Sequence, residues 1–381
     1  MKRSYSGLTL VLMLASFGCS KSVDTGACSL VLVNPRTGAQ AAIGTQVTRA
    51  RQLAEDANVA DAIRVAVREV DSQANPGVAR AEVERALASW NAPVVVGSIF
   101  SAETREFLRP VLDRGVVILA NGSSDPGLRF IAGRKAHDGF FRNWPADDLE
   151  GQVMAQYVVS SGRANRLAVL HANDPYPNAL SQAFTDEFRR LGGEVVGSPT
   201  VYDANTTAFD DLLRRLAGLQ FDGFYIVGFP RDLAGIYNAV RRTPELQAKP
   251  IFSAVGIESG DFDKLVNKPV RDLFYTAPAL DESAKPYFDF AAAYRKRYRD
   301  ERPDIVAAIT YDAIRIASTA VASVGCDATK IREYLYAAKP FEGAAGPTGF
   351  DALGDVVSKP VAIKYFEQGQ RRVAVTRARG Q

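Results

Sequence analysis

Two stretches of this chain end an apolar run on small and hydroxyl-bearing residues: Val94-Val95-Val96-Gly97-Ser98-Ile99-Phe100-Ser101, and Val116-Val117-Ile118-Leu119-Ala120-Asn121-Gly122-Ser123-Ser124-Asp125-Pro126. A β-branched run broken in this way reads as a parallel strand followed by the turn at its carboxyl end, where small molecules bind in open α/β sheets. With few bulky side chains at those turns, backbone N–H groups and hydroxyls can meet a ligand, and such donors suit an anionic head group such as a carboxylate. The chemistry on offer is recognition rather than bond breaking. The chain has two histidines, His137 and His171, without the paired spacing of a metal site. His171, near Asn173 and Asp174 at a strand end, has no nucleophile beside it, so catalysis and metal binding are not expected. No P-loop and no Gly-x-Gly-x-x-Gly follows a strand, so no nucleotide cofactor is expected either.

The elements that must position these turns alternate regularly, as in stacked βαβ units with a mostly parallel sheet. In the first half, strands are expected at Leu30 to Val33, Ile63 to Val70, Val94 to Val96 and Val116 to Leu119. Helices with 3.6-residue apolar spacing fall between them, at Ile43 to Ala57, Val78 to Trp90 and Thr104 to Arg114. The chain then crosses at Phe140-Phe141-Arg142-Asn143-Trp144-Pro145 into a second series of helices (Asp147 to Ser161, Asn178 to Leu191, Phe209 to Leu219, Arg231 to Arg241) and strands (Leu167 to His171, Val195 to Tyr202, Gly223 to Val227, Pro250 to Ala254, Leu273 to Thr276). The second half repeats the first: Asp222 to Pro230 stands where Val94 to Ser101 stood, and Pro250 to Ser259 where Val116 to Asp125 stood. Three late helices, Pro286 to Arg299, Asp304 to Val324 and Thr329 to Ala338, are expected to return to the first lobe. A closing hairpin, Val361 to Phe366 and Arg372 to Val375 turning at Gln368-Gly369, is assigned to the second.

The fold class is therefore α/β: two Rossmann-like lobes with mostly parallel sheets, joined by a three-segment hinge. Residues 28–144 and 278–345 form the first lobe, and residues 145–277 and 346–381 the second. The 381 residues, 47% of them hydrophobic, suffice for two cores of ordinary domain size. The 46 Lys and Arg against 43 Asp and Glu are scattered along the chain, which does not favour nucleic-acid binding. Arg295-Lys296-Arg297-Tyr298-Arg299 reads as a solvated helix face, with a docking surface for a membrane partner as the alternative.

The amino terminus reads as an export signal over residues 1–18: Met1-Lys2-Arg3, an apolar run from Gly7 to Ala15, then Ser16-Phe17-Gly18-Cys19. The run is too short for a membrane span, which needs about 20 apolar residues. A small residue before Cys19 is similar to the lipobox of bacterial lipoproteins, which implies a lipid anchor on Cys19 and a polar linker over residues 19–27; Ser16 departs from that pattern, which prefers Leu there. In an oxidising compartment the remaining two cysteines, Cys28 and Cys326, invite a disulfide, with two buried thiols as the alternative.

Signal, paired lobes and multiple crossings together resemble a type I periplasmic solute-binding protein, in the branch around the leucine/isoleucine/valine receptors of ABC importers. The resemblance spans the mature chain and rests on Asn34-Pro35-Arg36-Thr37-Gly38, Val96-Gly97 with Ser101, Gly122-Ser123-Ser124-Asp125-Pro126, Phe141-Arg142, Asp174-Pro175-Tyr176, Gly228-Phe229, Tyr311-Asp312-Ala313 and Gly349-Phe350-Asp351, in that order. It implies a small-molecule ligand between the lobes, closure about the hinge, and delivery to membrane permease subunits or, alternatively, to a sensor such as a receptor kinase or chemoreceptor. It implies that Ser101, Gly122 and Ser124 grip a carboxylate, and that Tyr176 and Phe229 close over the ligand. Hydrogen bonds to a charged group contribute roughly 1.5 to 3 kcal/mol each, so three or four would supply much of the roughly 8 kcal/mol of micromolar binding.

The chain departs from the family pattern at three positions, the first being Phe229, which stands where the family usually carries a phenol. Val255 stands where the amino-acid receptors use a glutamate for the ligand's ammonium, and Ile43 replaces an aromatic that often walls the pocket. Glu258 or Asp147 is the candidate for supplying the missing carboxylate. Each of these residues also has a plainer role open to it. Ser101 and Ser124 could cap helices, Gly122 could serve a turn with positive φ, Tyr176 and Phe229 could be turn or core aromatics, Glu258 could be a solvated carboxylate, and Trp144 is expected to pack the crossing.

Overall fold

The computed structural model describes residues 28–377 except 134, 205, 207 and 300. The expected signal segment, Cys19 and the linker to residue 27 lie outside the described residues. The first half is built on a five-stranded parallel sheet: β1 (Ser29–Asn34), β2 (Ala66–Asp71), β3 (Val94–Val96), β4 (Val117–Ala120) and β5 (Phe140–Arg142), in the order β2-β1-β3-β4-β5. Helices α1 (Ala41–Ala60), α2 (Pro76–Ser89), α3 (Ser101–Leu112) and α4 (Leu128–Ala132) connect the strands. β1, β3 and β4 are apolar almost throughout because both sheet faces are covered there, as parallel sheets require, whereas the edge strand β2 alternates, with Arg68 and Glu69 among its residues. Two elements exceed the expected four strands and three helices: β5, whose three residues read as a crossing segment, and the five-residue α4.

The second half holds an eight-stranded sheet. Its parallel part comprises β6 (Arg166–Ala172), β7 (Glu194–Val195), β8 (Thr200–Tyr202), β9 (Gly223–Val227), β10 (Ile251–Ser253) and β11 (Leu273–Pro278). Helices α5 (Asp147–Ser161), α6 (Pro175–Arg190), α7 (Asp210–Ala217), α8 (Pro230–Arg242) and α9 (Gly260–Leu265) cover it. The single strand expected over Val195 to Tyr202 is two short ones. Gly197 has φ +69° and Pro199 has no N–H to give to a ladder, so pairing lapses between them.

After β11 come α10 (Lys285–Arg297), α11 (Ile305–Val324) and α12 (Ala328–Ala337). Ala313, Ile314, Ala317 and Val321 of α11, with Ile331 and Leu335 of α12, pack in one cluster with β1, β3 and β4. α11 is apolar and long enough to cross a membrane, yet most of it is buried in this core. Cys28, before β1, is disulfide-bonded to Cys326, after α11, across 298 residues of sequence. A small hairpin of β12 (Phe341–Gly343) and β13 (Gly346–Thr348) follows, and then β14 (Val361–Glu367) and β15 (Gln370–Arg377), which extend the second sheet antiparallel to β11.

The third passage between halves falls later than residue 346, because residues 349–356 still belong to the first half. Phe350 meets the Phe141 ring edge-on at 5.0 Å, and the Gly354 carbonyl accepts from the Arg142 N–H. The Asp355 carboxylate accepts from both Arg129 (2.7 Å) and Arg142 (2.6 Å). Two buried guanidiniums hold this segment in place, and the chain crosses only between Val357 and Val361.

Candidate functional site

The parallel strands of the two sheets point their carboxyl ends at each other across a cavity of about 90 Å³. From the first half it is lined by Ile43, Ile99, Phe100, Gly122, Ser124 and Trp144; from the second by Tyr176, Gly228, Phe229, Pro230, Val255, Gly256 and Glu258. The start of α11, Asp304 to Val306, completes the wall.

The first-half turns are fixed by polar contacts, and the turn after β4 keeps a small tip. Gly97 has φ +121°, a conformation glycine adopts freely, and it turns the chain out of β3. The Ser123 hydroxyl donates to the Ser98 carbonyl (2.8 Å) and pairs with the Thr104 hydroxyl (2.8 Å), tying the turn after β4 to the turn after β3. Gly122 needs no positive φ. It is glycine because a Cβ there would sit 2.7 Å from Ile99 Cα and 2.8 Å from Ile99 O. Arg142, noticed in the sequence only as part of a signature, supports the same turn: its Nη1 donates to the carbonyls of Ser124 and Asp125 at 3.0 Å each.

Ser101 does not line the cavity. It is buried at the first position of α3, and its Oγ accepts from the Asp125 N–H (3.2 Å). The hydroxyl that was expected to reach the ligand instead braces the turn that carries Ser124. Neither Ser101 nor Ser124 is the N-cap residue of the adjacent helix.

In the second half, Asp174 caps α6 by accepting from the Tyr176 N–H (3.1 Å), which places the Tyr176 ring at the cleft. Phe229 is a half-buried wall residue packed against the second-half core: its ring meets Phe100 of the first half edge-on at 5.9 Å and lies 6.3 Å from Tyr176. Ile43 and Trp144 are also wall residues, and Trp144 therefore does more than pack the crossing. Phe100 and the α11 start escaped the sequence reading. The one signal for the latter is Asp304, which caps α11 through the Ala307 N–H (2.9 Å); burial pushes its carboxyl up to about 6.

The two candidates for the missing carboxylate differ. Glu258 reaches the wall but is already paired, accepting from Lys364 Nζ (2.7 Å) and Tyr275 Oη (2.8 Å). Burial raises its pKa, but Lys364 and Arg371 outweigh burial and hold it below the usual carboxylate range. It is therefore a neutralised wall group and offers no bare charge. Asp147 is fully buried behind the wall, with its backbone N–H donating to the Ser124 carbonyl (3.1 Å). Burial and the neighbouring Glu150 push its carboxyl well above the ordinary value, against the pull of Ser124 and Arg142. The exposed surface of the cavity is thus mainly apolar, with backbone and one hydroxyl on the first-half side.

A family model for periplasmic binding proteins matches residues 29–370. The chain belongs to the periplasmic binding protein family. This binding protein is 26% identical over 352 residues to an amino acid binding protein of Pseudomonas aeruginosa, covering 89% of this chain and 90% of that one. Among solved structures, a leucine binding protein from Thermotoga maritima has a TM-score of 0.84 at 20% identity, over 92% of this chain and 99% of that one. The solute binding protein of an ABC transporter from R. palustris, in complex with benzoate, has a TM-score of 0.81 at 17% identity, over 93% and 97%. These two likenesses show a shared two-lobed fold. Membership of the family makes the protein an extracytoplasmic solute-binding protein, and the family and its named relatives are binding proteins rather than enzymes.

Proposed function

We propose that this binding protein is the receptor of an ABC importer and closes about its hinge over a small, largely apolar molecule with a carboxylate or amino-acid-like head. It then presents the closed form to membrane permease subunits, held at the membrane by a lipid on Cys19. The observation that carries the reading is the meeting of Gly122, Ser124, Tyr176, Phe229 and Val255 in one cavity between the strand ends of two sheets. The Gly122–Ser124 turn offers N–H and hydroxyl donors to the head, while Trp144, Phe229 and Val255 offer an apolar wall to the body. A ligand that touches both halves favours closure by its differential contacts with the closed form. The relatives agree in kind: one is named for amino acids, one for leucine, and one holds benzoate.

A thermal-shift screen of amino acids, aromatic acids, short amides and urea-like compounds is the test. A true ligand at 100 times its Kd stabilises by about 2.7 kcal/mol, a visible rise in Tm. Ser124→Ala combined with Tyr176→Ala is expected to abolish calorimetric binding of that ligand and leave the Tm of the empty protein nearly unchanged. Binding retained in the double variant would contradict the site.

A further inference from the structure

The third crossing is bonded to the first half residue after residue, and then its partners change at one position. The Val357 N–H donates to the Gly349 carbonyl (3.2 Å), and the Ser358 hydroxyl donates to the Pro347 carbonyl (2.7 Å). The Lys359 ammonium donates to the carbonyls of Ala345 (2.8 Å) and Gly346 (3.2 Å) at the tip of the β12–β13 hairpin. At Pro360 the partners lie on the other side. Its carbonyl accepts from the Ala279 N–H (2.8 Å) of the second crossing, and Val361 opens β14 by pairing with Pro278 of β11. The hand-over from one half to the other thus falls between two consecutive residues.

The hairpin that receives Lys359 is itself held from behind. Asp312 on α11 is 0% exposed, and its two carboxylate oxygens accept from the Ala344 and Ala345 N–H groups at 2.7 Å each. The carboxylate lies so close under the turn that a Cβ at Gly343 would sit 2.3 Å from Asp312 Oδ2. Ala344 and Ala345 pack in one cluster with Trp144, which stands on the first crossing and lines the cleft. The hairpin therefore touches α11, the first crossing and the third, and the Pro360 carbonyl joins the second to them. Lys359 is 5% exposed. Burial lowers its pKa to about 8, with the Asp312 carboxylate opposing that fall. A buried ammonium is destabilising unless its donors are matched, and an apolar residue would serve packing alone. What the ammonium adds is direction, because donors on two carbonyls fix where the chain lies as it leaves the first half.

We propose that Lys359 is the positioning residue of the hinge: by bonding the hairpin tip it makes the third crossing part of the first half up to its own position, and it confines the pivot to Pro360 and Val361 beside Ala279. Hinges are a few element-terminal residues that absorb the whole movement, and the fixed φ of proline leaves few torsions free at this one. With so short a pivot the strand-end turns of the two sheets return to one facing placement. A crossing loose from Gly349 to Pro360 would let them meet in many. The role is independent of which ligand the cleft takes, so its failure would leave the proposed function standing.

The test is pulsed electron paramagnetic resonance on the full chain at neutral pH, with no ligand added. Nitroxides are carried by noncanonical residues at the exposed positions Ala88 on α2 and Arg189 on α6, so that the cysteines stay untouched. The width of the distance distribution reports how many relative placements the two halves sample. Lys359→Met is expected to broaden it about twofold, and Lys359→Arg, which keeps the charge and the donors, to hold it near the wild-type width. Asp312→Asn, which weakens the hold on the hairpin, is expected to broaden it too. The double variant should be no broader than the wider single one, because both act through the same hairpin. Should Lys359→Met fail to fold, Lys359→Gln, neutral and one bond shorter, takes its place with the same expectation. A general loss of stability lowers Tm without widening the distribution. A lower Tm at wild-type width would therefore make Lys359 a structural group and overturn the proposal. Lys359→Arg as broad as Lys359→Met, or broadening that adds in full in the double variant, would overturn it as well.

Discussion

The turns after β3 and β4 and those after β9 and β10 occupy equivalent places in the two halves, yet they present different surfaces. In the first half the turn after β4 is small, the turn after β3 presents Ile99 and Phe100, and the two are cross-tied by hydroxyls, with Arg142 bonded to two carbonyls of the former. In the second they present Phe229, Pro230 and Val255. The supports differ as well. The first half is cross-linked by Cys28–Cys326 and by the Asp355 carboxylate between two buried guanidiniums, whereas the second has aromatic packing such as Phe184 on Tyr225 at 3.7 Å together with the Lys364–Glu258 and Arg371–Asp263 pairs. On the proposed function, the strand ends set where a guest sits, and the side chains just beyond them set which part of it each half reads. The half proposed to hold the ligand's head is the one cross-linked by the disulfide.

The largest effect expected from breaking this difference is at Asp355. Asp355→Ala leaves Arg129 and Arg142 buried without their carboxylate, a loss of about 3–5 kcal/mol. It should appear in denaturant melts as early unfolding of the first half, with the turn carrying Ser124 loosened; hydrogen exchange would show protection lost there and kept in β6 and β9. Equal loss in both halves would contradict the asymmetry.

Alanine at the paired glycines sharpens the comparison. At Gly122 a new Cβ meets Ile99 backbone at 2.7 Å, whereas at Gly256 its nearest neighbour at that distance is the Leu233 Cδ1 methyl, which can move. Gly122→Ala should therefore weaken ligand binding about 100-fold, equivalent to about 2.7 kcal/mol. Gly256→Ala should weaken it less than tenfold, measured by calorimetry on the same ligand.

The smallest effect is a pH dependence shared by both halves. Burial pushes Glu103 in the first half and Glu150 in the second up to about 7. Such groups hold protons in the folded chain that the unfolded chain has already released, so stability falls as pH rises from about 4.5 to 7. Asp355 and Glu258 shift the other way despite their burial, under the pull of Arg142 and Lys364, and withdraw stability below about pH 4. Tm should peak between about pH 4 and 4.5. Glu103→Gln or Glu150→Gln should each flatten the fall towards pH 7 by roughly 2–4 °C, of order 1 kcal/mol.

Much of this arrangement is written in local pattern. The core strands and most helices are legible because apolar period and turn chemistry agree, as at β3, α5 and β9, whose ranges match expectation residue for residue. The strand-end turns are legible from the sequence pattern, while the places of Gly122, Ser124, Tyr176 and Phe229 in the cleft are what the family resemblance implies. What escaped the sequence was short or depended on distant partners. β5 and α4 are too brief to show a period, and the late crossing after Val357 depends on Asp355 meeting two arginines more than 200 residues earlier. Ser101 has the residue type and place of a ligand contact, but its hydroxyl faces the Asp125 backbone. The burial of Asp147 and Glu150 is equally invisible, since acidic residues in a first helical turn ordinarily face water.

The central claim is that one guest is held jointly by the strand-end turns of both sheets. A crystal structure of the protein with the tightest binder from the thermal-shift screen tests it most directly. The account predicts the guest's head within hydrogen-bonding distance of the Gly122–Ser124 turn and its body against Phe229, Val255 and Trp144. A guest seated outside this cavity, or touching only one half, would contradict it.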